Sequence, residues 1–247
     1  MVSYQLSVKS IYSLLPYYLL LAFSQLQDLP LITDHCPLIT TSTAMSQTKA
    51  INYLALGDSY TIGESVAQQQ TFPFLLAQQL KSKNNMDVKP KVIARTGWTT
   101  NELQSAIDQA KPSLDYDLVT LLIGVNNQYR GMSLKQYERE FTVLLDQAIS
   151  YAQSKKEKVV VISIPDYGCT PYGAGSKERI GREIDEFNRV NKRVAIKKGV
   201  HYVDINPTSK LAATKPSLVA EDGLHPSAEM YKLWVELIIP EVQYILK

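Results

Sequence analysis

A serine stands where an apolar stretch of the chain gives way to turn-forming residues. Tyr53 to Leu56 is apolar without alternation, as is typical of a strand covered on both faces. Gly57, Asp58 and Ser59 follow directly. Open α/β sheets bind ligands at the carboxyl ends of their strands, and amides of the following turn can stabilise a negative oxygen. The position suits a serine nucleophile, although an ordinary strand-to-helix turn uses the same residue types.

A base for this serine is found near the other end of the chain. A serine hydroxyl is a poor nucleophile until a base removes its proton, and histidine is the natural base near neutral pH. His225 follows three residues after Asp222, whose carboxylate could hold one ring nitrogen. Of the two other histidines, His35 lies in the N-terminal segment, and His201 opens a strand, where we expect a partly buried structural role. Ser59, His225 and Asp222 together predict a catalytic triad for acyl transfer.

Strand and helix patterns alternate from Ile51 onwards. The predicted strands are Tyr53–Leu56, Val88–Ala94, Asp117–Gly124, Lys158–Ile164 and His201–Ile205. Helical spacing and capping residues predict helices at about 72–80, 100–107, 133–154, 178–197 and 228–244. Five strands separated by helices predict an α/β fold. We expect three α/β/α layers around a parallel, five-stranded, flavodoxin-like sheet with strand order 2-1-3-4-5.

Polar residues and glycine follow the predicted strands at their carboxyl ends. They are Ser59, Gly97, Asn126 with Asn127, Asp166 and Asn206. Because these strand ends meet at one edge of a parallel sheet, we expect these residues to converge there.

Four short blocks of this sequence resemble those of the SGNH hydrolase superfamily, also called GDSL esterases and lipases. The blocks are Gly57-Asp58-Ser59, Gly97, Gly124-Val125-Asn126-Asn127 and Asp222-Gly223-Leu224-His225-Pro226. They occur in the family's order between residue 51 and the end of the chain. Two positions depart from the pattern: Tyr60 stands in place of leucine, and Asn127 in place of aspartate. Both are neighbours of the matched groups, so they bear on substrate preference more than on activity.

The resemblance implies a role for each matched residue. Ser59 would be the nucleophile, His225 the general base and then acid, and Asp222 the residue that orients it. The Ser59 amide, the Gly97 amide and the Asn126 side chain would form the oxyanion hole. Asp58 would cap the turn or support the site. The implied enzyme cleaves carboxylic esters through an acyl-enzyme intermediate, needs no cofactor and takes a small-molecule ester as its partner.

Four further residues are candidates for the substrate pocket. They are Trp98, Asn127, Tyr167 and Tyr172. The two tyrosines lie in a loop rich in glycine and proline (165–175) that follows the fourth predicted strand, where they would either line the pocket or pack the loop down. The absence of a long apolar lid favours short acyl groups. A sugar O-deacetylase, a lysophospholipase and a thioesterase stay open as alternatives within the family.

Two other classes of function compete with the esterase. Asp58, Asn126, Asn127, Asp166 and His225 could converge on an oxygen-preferring metal, as in a metal-dependent phosphoesterase. That class is disfavoured because a serine occupies the nucleophile position and only one histidine reaches the sheet edge. A non-catalytic binding module would have no need of serine, asparagine and histidine together.

Composition limits the partners further. The net charge is +2, and no cluster of lysine and arginine is interleaved with aromatic residues, so a nucleic-acid partner is not expected. The two cysteines, Cys36 and Cys169, have neither a disulfide framework nor metal-ligand spacing. Cys169 has no basic neighbour in sequence that would make it reactive.

The first 49 residues differ from the rest and are predicted not to belong to the hydrolase domain at 50–247. Residues 1–24 imitate a secretory signal, with one basic residue ahead of an apolar run at 19–23. In that case the protein is secreted or periplasmic, and an uncleaved segment would tie it to a membrane. Alternatively, translation begins at Met45, which leads into the first strand, and the protein is cytoplasmic.

Overall fold

The computed structural model describes residues 48–247, and the predictions for the first 47 residues lie outside this part. Its centre is a five-stranded parallel sheet with the order β2-β1-β3-β4-β5, which confirms the predicted fold. The strands are β1 (Lys49–Gly57), β2 (Met86–Ala94), β3 (Leu118–Leu122), β4 (Val159–Ile162) and β5 (His201–Val203).

Between residues 48 and 247, five long α-helices cover the sheet, and three short α-helices follow strand ends. The long helices are α2 (Phe72–Asn84), α3 (Thr100–Ala110), α5 (Leu134–Tyr151), α6 (Lys177–Lys198) and α8 (Ala228–Ile245). The short ones are α1 (Ser59–Ile62), α4 (Val125–Tyr129) and α7 (Asn206–Ser209). Helix α2 packs against α8, whereas α5 packs against α3 and α6, so that helices cover both faces.

The apolar runs seen in the sequence are the centre of this sheet. All five residues of β3 and all four of β4 are buried, because helices cover both of their faces. Strand β2 lies at the edge, which accommodates Pro90 because an edge strand has an unpaired side.

Three strands end earlier than the sequence predicted. The last residues of the predicted third, fourth and fifth strands leave the sheet, and Gly124 adopts φ 133° at the start of α4. These apolar residues, such as Ile164 and Ile205, remain buried in the turns that carry the polar residues. The apolar residues therefore predicted burial correctly. The hydrogen bonds between strands end earlier, where the chain turns toward the next helix.

His201 has the partly buried position that was expected from the sequence. The His201 Nδ1 lies 2.9 Å from Glu241 Oε2, and this partly buried pair joins β5 to α8, as a structural role requires. Between residues 48 and 247, no helix combines the length and the apolar character that crossing a membrane would need.

Candidate active site

Ser59 is the first residue of the short helix α1, directly after β1. The turn before it is tight: a Cβ on Gly57 would lie 2.4 Å from the Leu122 carbonyl oxygen, so only glycine fits there. Asp58 caps α1, and its Oδ1 accepts a hydrogen bond from the Tyr60 amide at 3.1 Å. The capping role predicted for Asp58 is therefore present, and it holds Ser59 at the end of a central strand.

The carboxyl group of Asp58 is completely buried in this turn. Burial raises its pKa to about 7, although hydrogen bonds from the amides of Tyr60 and Gly124 act in the other direction. Its Oδ2 has no hydrogen-bond partner in the described part of the chain. Because an unpartnered, buried carboxylate oxygen is costly, this turn favours the neutral acid at any pH below about 7.

His225 and Asp222 form a close pair in the loop before α8. The His225 Nδ1 lies 2.6 Å from Asp222 Oδ2, and the amides of Leu224 and His225 each donate to Asp222 Oδ1 at 2.9 Å. The Ser65 hydroxyl donates to the same Oδ2 at 2.7 Å. Partial burial alone would raise the pKa of Asp222, but these four hydrogen bonds outweigh burial and hold it well below its ordinary value. Asp222 is thus a fixed anion behind the imidazole.

A cavity of about 170 Å³ brings the predicted site residues together. It is lined by Ser59, Tyr60, Thr96, Gly97, Val125, Asn126, Tyr129, Tyr167, Tyr172, Leu224 and His225. No hydrogen bond joins the Ser59 hydroxyl to His225 within residues 48–247. Hydrogen bonds between a nucleophile and its base are often long before substrate binds. The cavity that Ser59 and His225 both line is therefore compatible with these two roles.

Gly97 and Asn126 both line this cavity, and the Asn126 side chain is hydrogen-bonded to the residue after Gly97. Gly97 has φ 86°, a left-handed conformation, and a Cβ there would meet only Arg130, at 3.9 Å. Conformation, not space, therefore requires the glycine. Arg130 Nη2 donates to the Gly97 carbonyl at 2.7 Å, and Asn126 Nδ2 donates to the Trp98 carbonyl at 2.9 Å. Asn126, in the first turn of α4, and Arg130, directly after the helix, thus hold the loop after β2.

Three tyrosines form a second wall of the cavity. Tyr129 and Tyr172 join their hydroxyls at 2.9 Å, and the Tyr167 ring packs against both, with centroid separations of 6.3 Å and 6.5 Å. Both tyrosines proposed from the sequence line the cavity, but Tyr129 was missed. A signal for it existed, because Tyr129 follows Asn126 by three residues, which places the two side chains on one face of α4.

Two pocket candidates lie elsewhere. Trp98 packs partly buried against the hydrophobic core, and neither it nor Asn127 is among the residues lining the cavity. Asn127 is completely buried: its Oδ1 accepts from the Thr100 amide at 3.1 Å and its Nδ2 donates to Thr100 Oγ1 at 2.7 Å. The asparagine that departs from the family pattern therefore ties α4 to the start of α3.

The remaining polar residues at this edge of the sheet, Asp166 and Asn206, form hydrogen bonds with the backbone. The amide of Gly168 donates to Asp166 Oδ1 at 2.9 Å, and Asn206 Nδ2 donates to the Ile164 carbonyl at 3.3 Å. Burial raises the pKa of the Cys169 thiol, as expected of an unreactive cysteine. No group of three or more histidine, cysteine, aspartate or glutamate side chains in the described part is arranged to hold a metal ion.

Comparison with known proteins identifies the family of this chain. Residues 55–233 match the model of the GDSL-like lipase/acylhydrolase family. An arylesterase of Vibrio mimicus is 27% identical over 196 residues, covering 76% of this chain and 86% of that protein.

Solved structures show the same fold. The acetylxylan esterase Axe2 of Geobacillus stearothermophilus has a TM-score of 0.63 at 18% identity, covering 79% of this chain and 95% of that one. The esterase EstA of a Pseudoalteromonas species, in a structure inhibited by monoethylphosphonate, has a TM-score of 0.57 at 18% identity, covering 79% and 98%. With the family match over most of its length, this chain belongs to the GDSL-like lipase/acylhydrolase family of the SGNH hydrolase superfamily and is a carboxylic ester hydrolase.

Proposed function

We propose that the protein cleaves small, short-acyl esters through an acyl-enzyme intermediate on Ser59. His225 takes the hydroxyl proton as Ser59 Oγ attacks the ester carbonyl, and then gives it to the departing alcohol. Water, deprotonated by His225, attacks the acyl-enzyme and releases the acid. Asp222 holds the imidazole by its Nδ1–H throughout. The observation that carries this proposal is the 2.6 Å His225–Asp222 pair on the same cavity as Ser59.

The oxyanion of the tetrahedral intermediate needs hydrogen-bond donors, and we assign them to the amides of Ser59 and Gly97 and to Asn126 Nδ2. Support comes from the cavity, which all three residues line. Asn126 already uses its Nδ2 on the Trp98 carbonyl, which orients the amide and leaves one N–H for substrate. Donors held in place before the reaction need no reorganisation as charge develops.

The size of the cavity and its tyrosine wall support the proposed substrate class. A volume of about 170 Å³ suits a short acyl group. The exposed rings of Tyr129 and Tyr172 suit a flat leaving group, either an aryl alcohol or a sugar ring. Similar proteins carry the names arylesterase and acetylxylan esterase, which is consistent with both leaving groups.

The chain-length preference is tested with para-nitrophenyl esters from acetyl to dodecanoyl, alongside phenyl acetate and acetylated xylose. We expect kcat/KM to fall as the acyl chain lengthens beyond a few carbons. A maximum at dodecanoyl would contradict the short-acyl proposal and favour a lysophospholipase or thioesterase.

The covalent mechanism is tested with a serine-directed phosphonate. We expect one adduct per chain, placed on Ser59 by peptide mass spectrometry, and unchanged activity in a chelator. Ser59→Ala and His225→Ala should each lower kcat by several orders of magnitude, and the double variant should be little worse, because the pair acts as a unit. Ser105→Ala, an exposed serine on α3, is the matched control. Activity lost to the chelator and restored by metal would instead indicate a phosphoesterase-like metal site.

A further inference from the structure

Ser65 connects the Asp222–His225 pair to the segment that carries Ser59. Its hydroxyl donates to Asp222 Oδ2 at 2.7 Å, across 157 positions of sequence, and His225 Nδ1 uses the same oxygen. Ser65 itself lies in the turn directly after α1, the helix that Ser59 begins. This one hydrogen bond thus joins the segment that begins with Ser59 to the loop that carries His225.

The backbone of Ser65 is strained in a way that helix capping does not explain. Ser65 has φ 67°, a left-handed conformation that favours glycine or asparagine. The C-cap position of α1 is already filled by Gly63, with φ 81°. The other non-glycine residues with positive φ between residues 48 and 247 follow the ends of long helices: Asn85, Lys111, Gln153 and Ser154. Strain of this kind persists where the surrounding structure requires it, and it concentrates at functional sites.

The turn is closed on both sides of the strained residue. The Val66 amide donates to the Gly63 carbonyl at 3.3 Å, and the Gly63 amide donates to the Ser59 carbonyl at 2.9 Å. Glu64, beside Ser65, accepts a hydrogen bond from the Thr96 hydroxyl, next to Gly97. The turn Gly63–Val66 therefore contacts the loop of the base through Ser65 and the loop of the oxyanion glycine through Glu64.

We propose that Ser65 is a positioning residue for the hydrolysis, which holds the Asp222 carboxylate in register with His225 and Ser59. The inference rests on the proposed function. An Oδ2 that accepts from both Ser65 and His225 cannot rotate away without losing both bonds. The Ser65 hydroxyl also stabilises the negative charge of the Asp222 carboxylate, the anion that holds the imidazole by its Nδ1–H.

The charged and titratable groups around this pair come from every neighbouring element. They are Asp58 at the N-cap of α1, Tyr60 on α1, Glu64 in the turn, Asp166 and Tyr167 in the loop after β4, and Tyr231 on α8. Substitutions at position 65 leave all of these side chains in place. A change in the pH profile therefore reports the hydrogen bond to Asp222.

The test is Ser65→Gly, which relaxes the backbone and removes the hydroxyl. Activity should therefore fall without a loss of stability. We expect an equal or higher melting temperature, a kcat lower by about three- to tenfold, and a KM that changes little. The acidic limb of the kcat/KM profile should move, because the Asp222 carboxylate that holds the imidazole loses one of its four hydrogen bonds. In an Asp222→Asn background the same substitution should have little further effect, because Ser65 acts through that carboxylate.

Two further variants keep the test decisive. Ser65→Ala removes only the hydroxyl and should show the same kinetic change, which serves if the glycine variant does not fold. Ser105→Ala should leave kcat and the pH limb as in the unaltered protein. If Ser65→Gly and Ser65→Ala keep both kcat and the limb, or lower only the melting temperature, the positioning role is overturned. Absence of a phosphonate adduct on Ser59 in the unaltered protein would overturn the proposed function instead, so the two failures are distinguishable.

Discussion

The buried carboxyl group of Asp58 makes a strong prediction about how stability depends on pH. Its pKa is raised to about 7 in the folded protein from an ordinary value of 3.8, chiefly because the group is completely buried. Between these two values the folded state keeps a proton that the unfolded chain has released. Stability should therefore fall as pH rises through this window and level off above pH 7. Three pH units at about 1.4 kcal/mol each amount to about 4 kcal/mol.

Asp58→Asn should abolish this loss, because an asparagine is the neutral isostere of the protonated acid. Its side-chain oxygen can keep the bond from the Tyr60 amide, and its nitrogen takes the place of the unpartnered Oδ2. We expect the variant to match the unaltered protein near pH 4. At pH 8 it should be more stable by about 2–4 kcal/mol.

The assay is urea unfolding at pH 4, 5, 6, 7 and 8, with the difference between the two proteins taken at each pH. Taking the difference cancels other titrating groups, such as Asp222, whose lowered pKa makes stability fall as pH falls. The matched control is Asp87→Asn, a surface aspartate on the edge strand paired with the exposed Lys89. Its effect should be small and should not grow with pH. A difference for Asp58→Asn that stays flat from pH 4 to 8, or turns destabilising, would refute the reasoning.

The other predictions concern the cavity. Asn126→Ala should lower kcat by about 10²–10³ and leave the protein folded, since it removes the proposed oxyanion donor together with one hydrogen bond to the Trp98 carbonyl; a loss under threefold would contradict the role. Gly97→Ala should lower both kcat and stability, the latter by about 1–3 kcal/mol, because alanine is strained at φ 86°. Arg130→Ala should lower kcat about three- to tenfold at constant KM, since Arg130 holds the Gly97 carbonyl, and an effect on KM alone would argue against it. Tyr172→Phe should raise KM for aryl or sugar esters about threefold, because it removes the bond to Tyr129.

Much of the fold and part of the site could be predicted from the sequence, because the controlling patterns are local. Alternating strand and helix patterns predicted five parallel strands, and the flavodoxin-like order expected for them is the order in the structure. The Asp222–His225 pair is local as well, since three positions of a tight loop bring the two side chains together. Convergence of Ser59, Gly97 and Asn126 follows from the geometry of any parallel sheet, whose carboxyl strand ends share one edge.

Tertiary structure alone decided which side chains become partners at that edge. Asn127 and Trp98 turned away from the cavity while Tyr129 turned toward it, because helix direction after each strand depends on packing. The protonation of Asp58 depends on complete burial, which its polar turn sequence does not reveal. The bond from Ser65 to Asp222 joins residues 157 positions apart and needs a left-handed backbone. Such contacts form only when folding brings separate loops to one edge of the sheet. Their free energies depend on the distances between side chains, which tertiary packing determines.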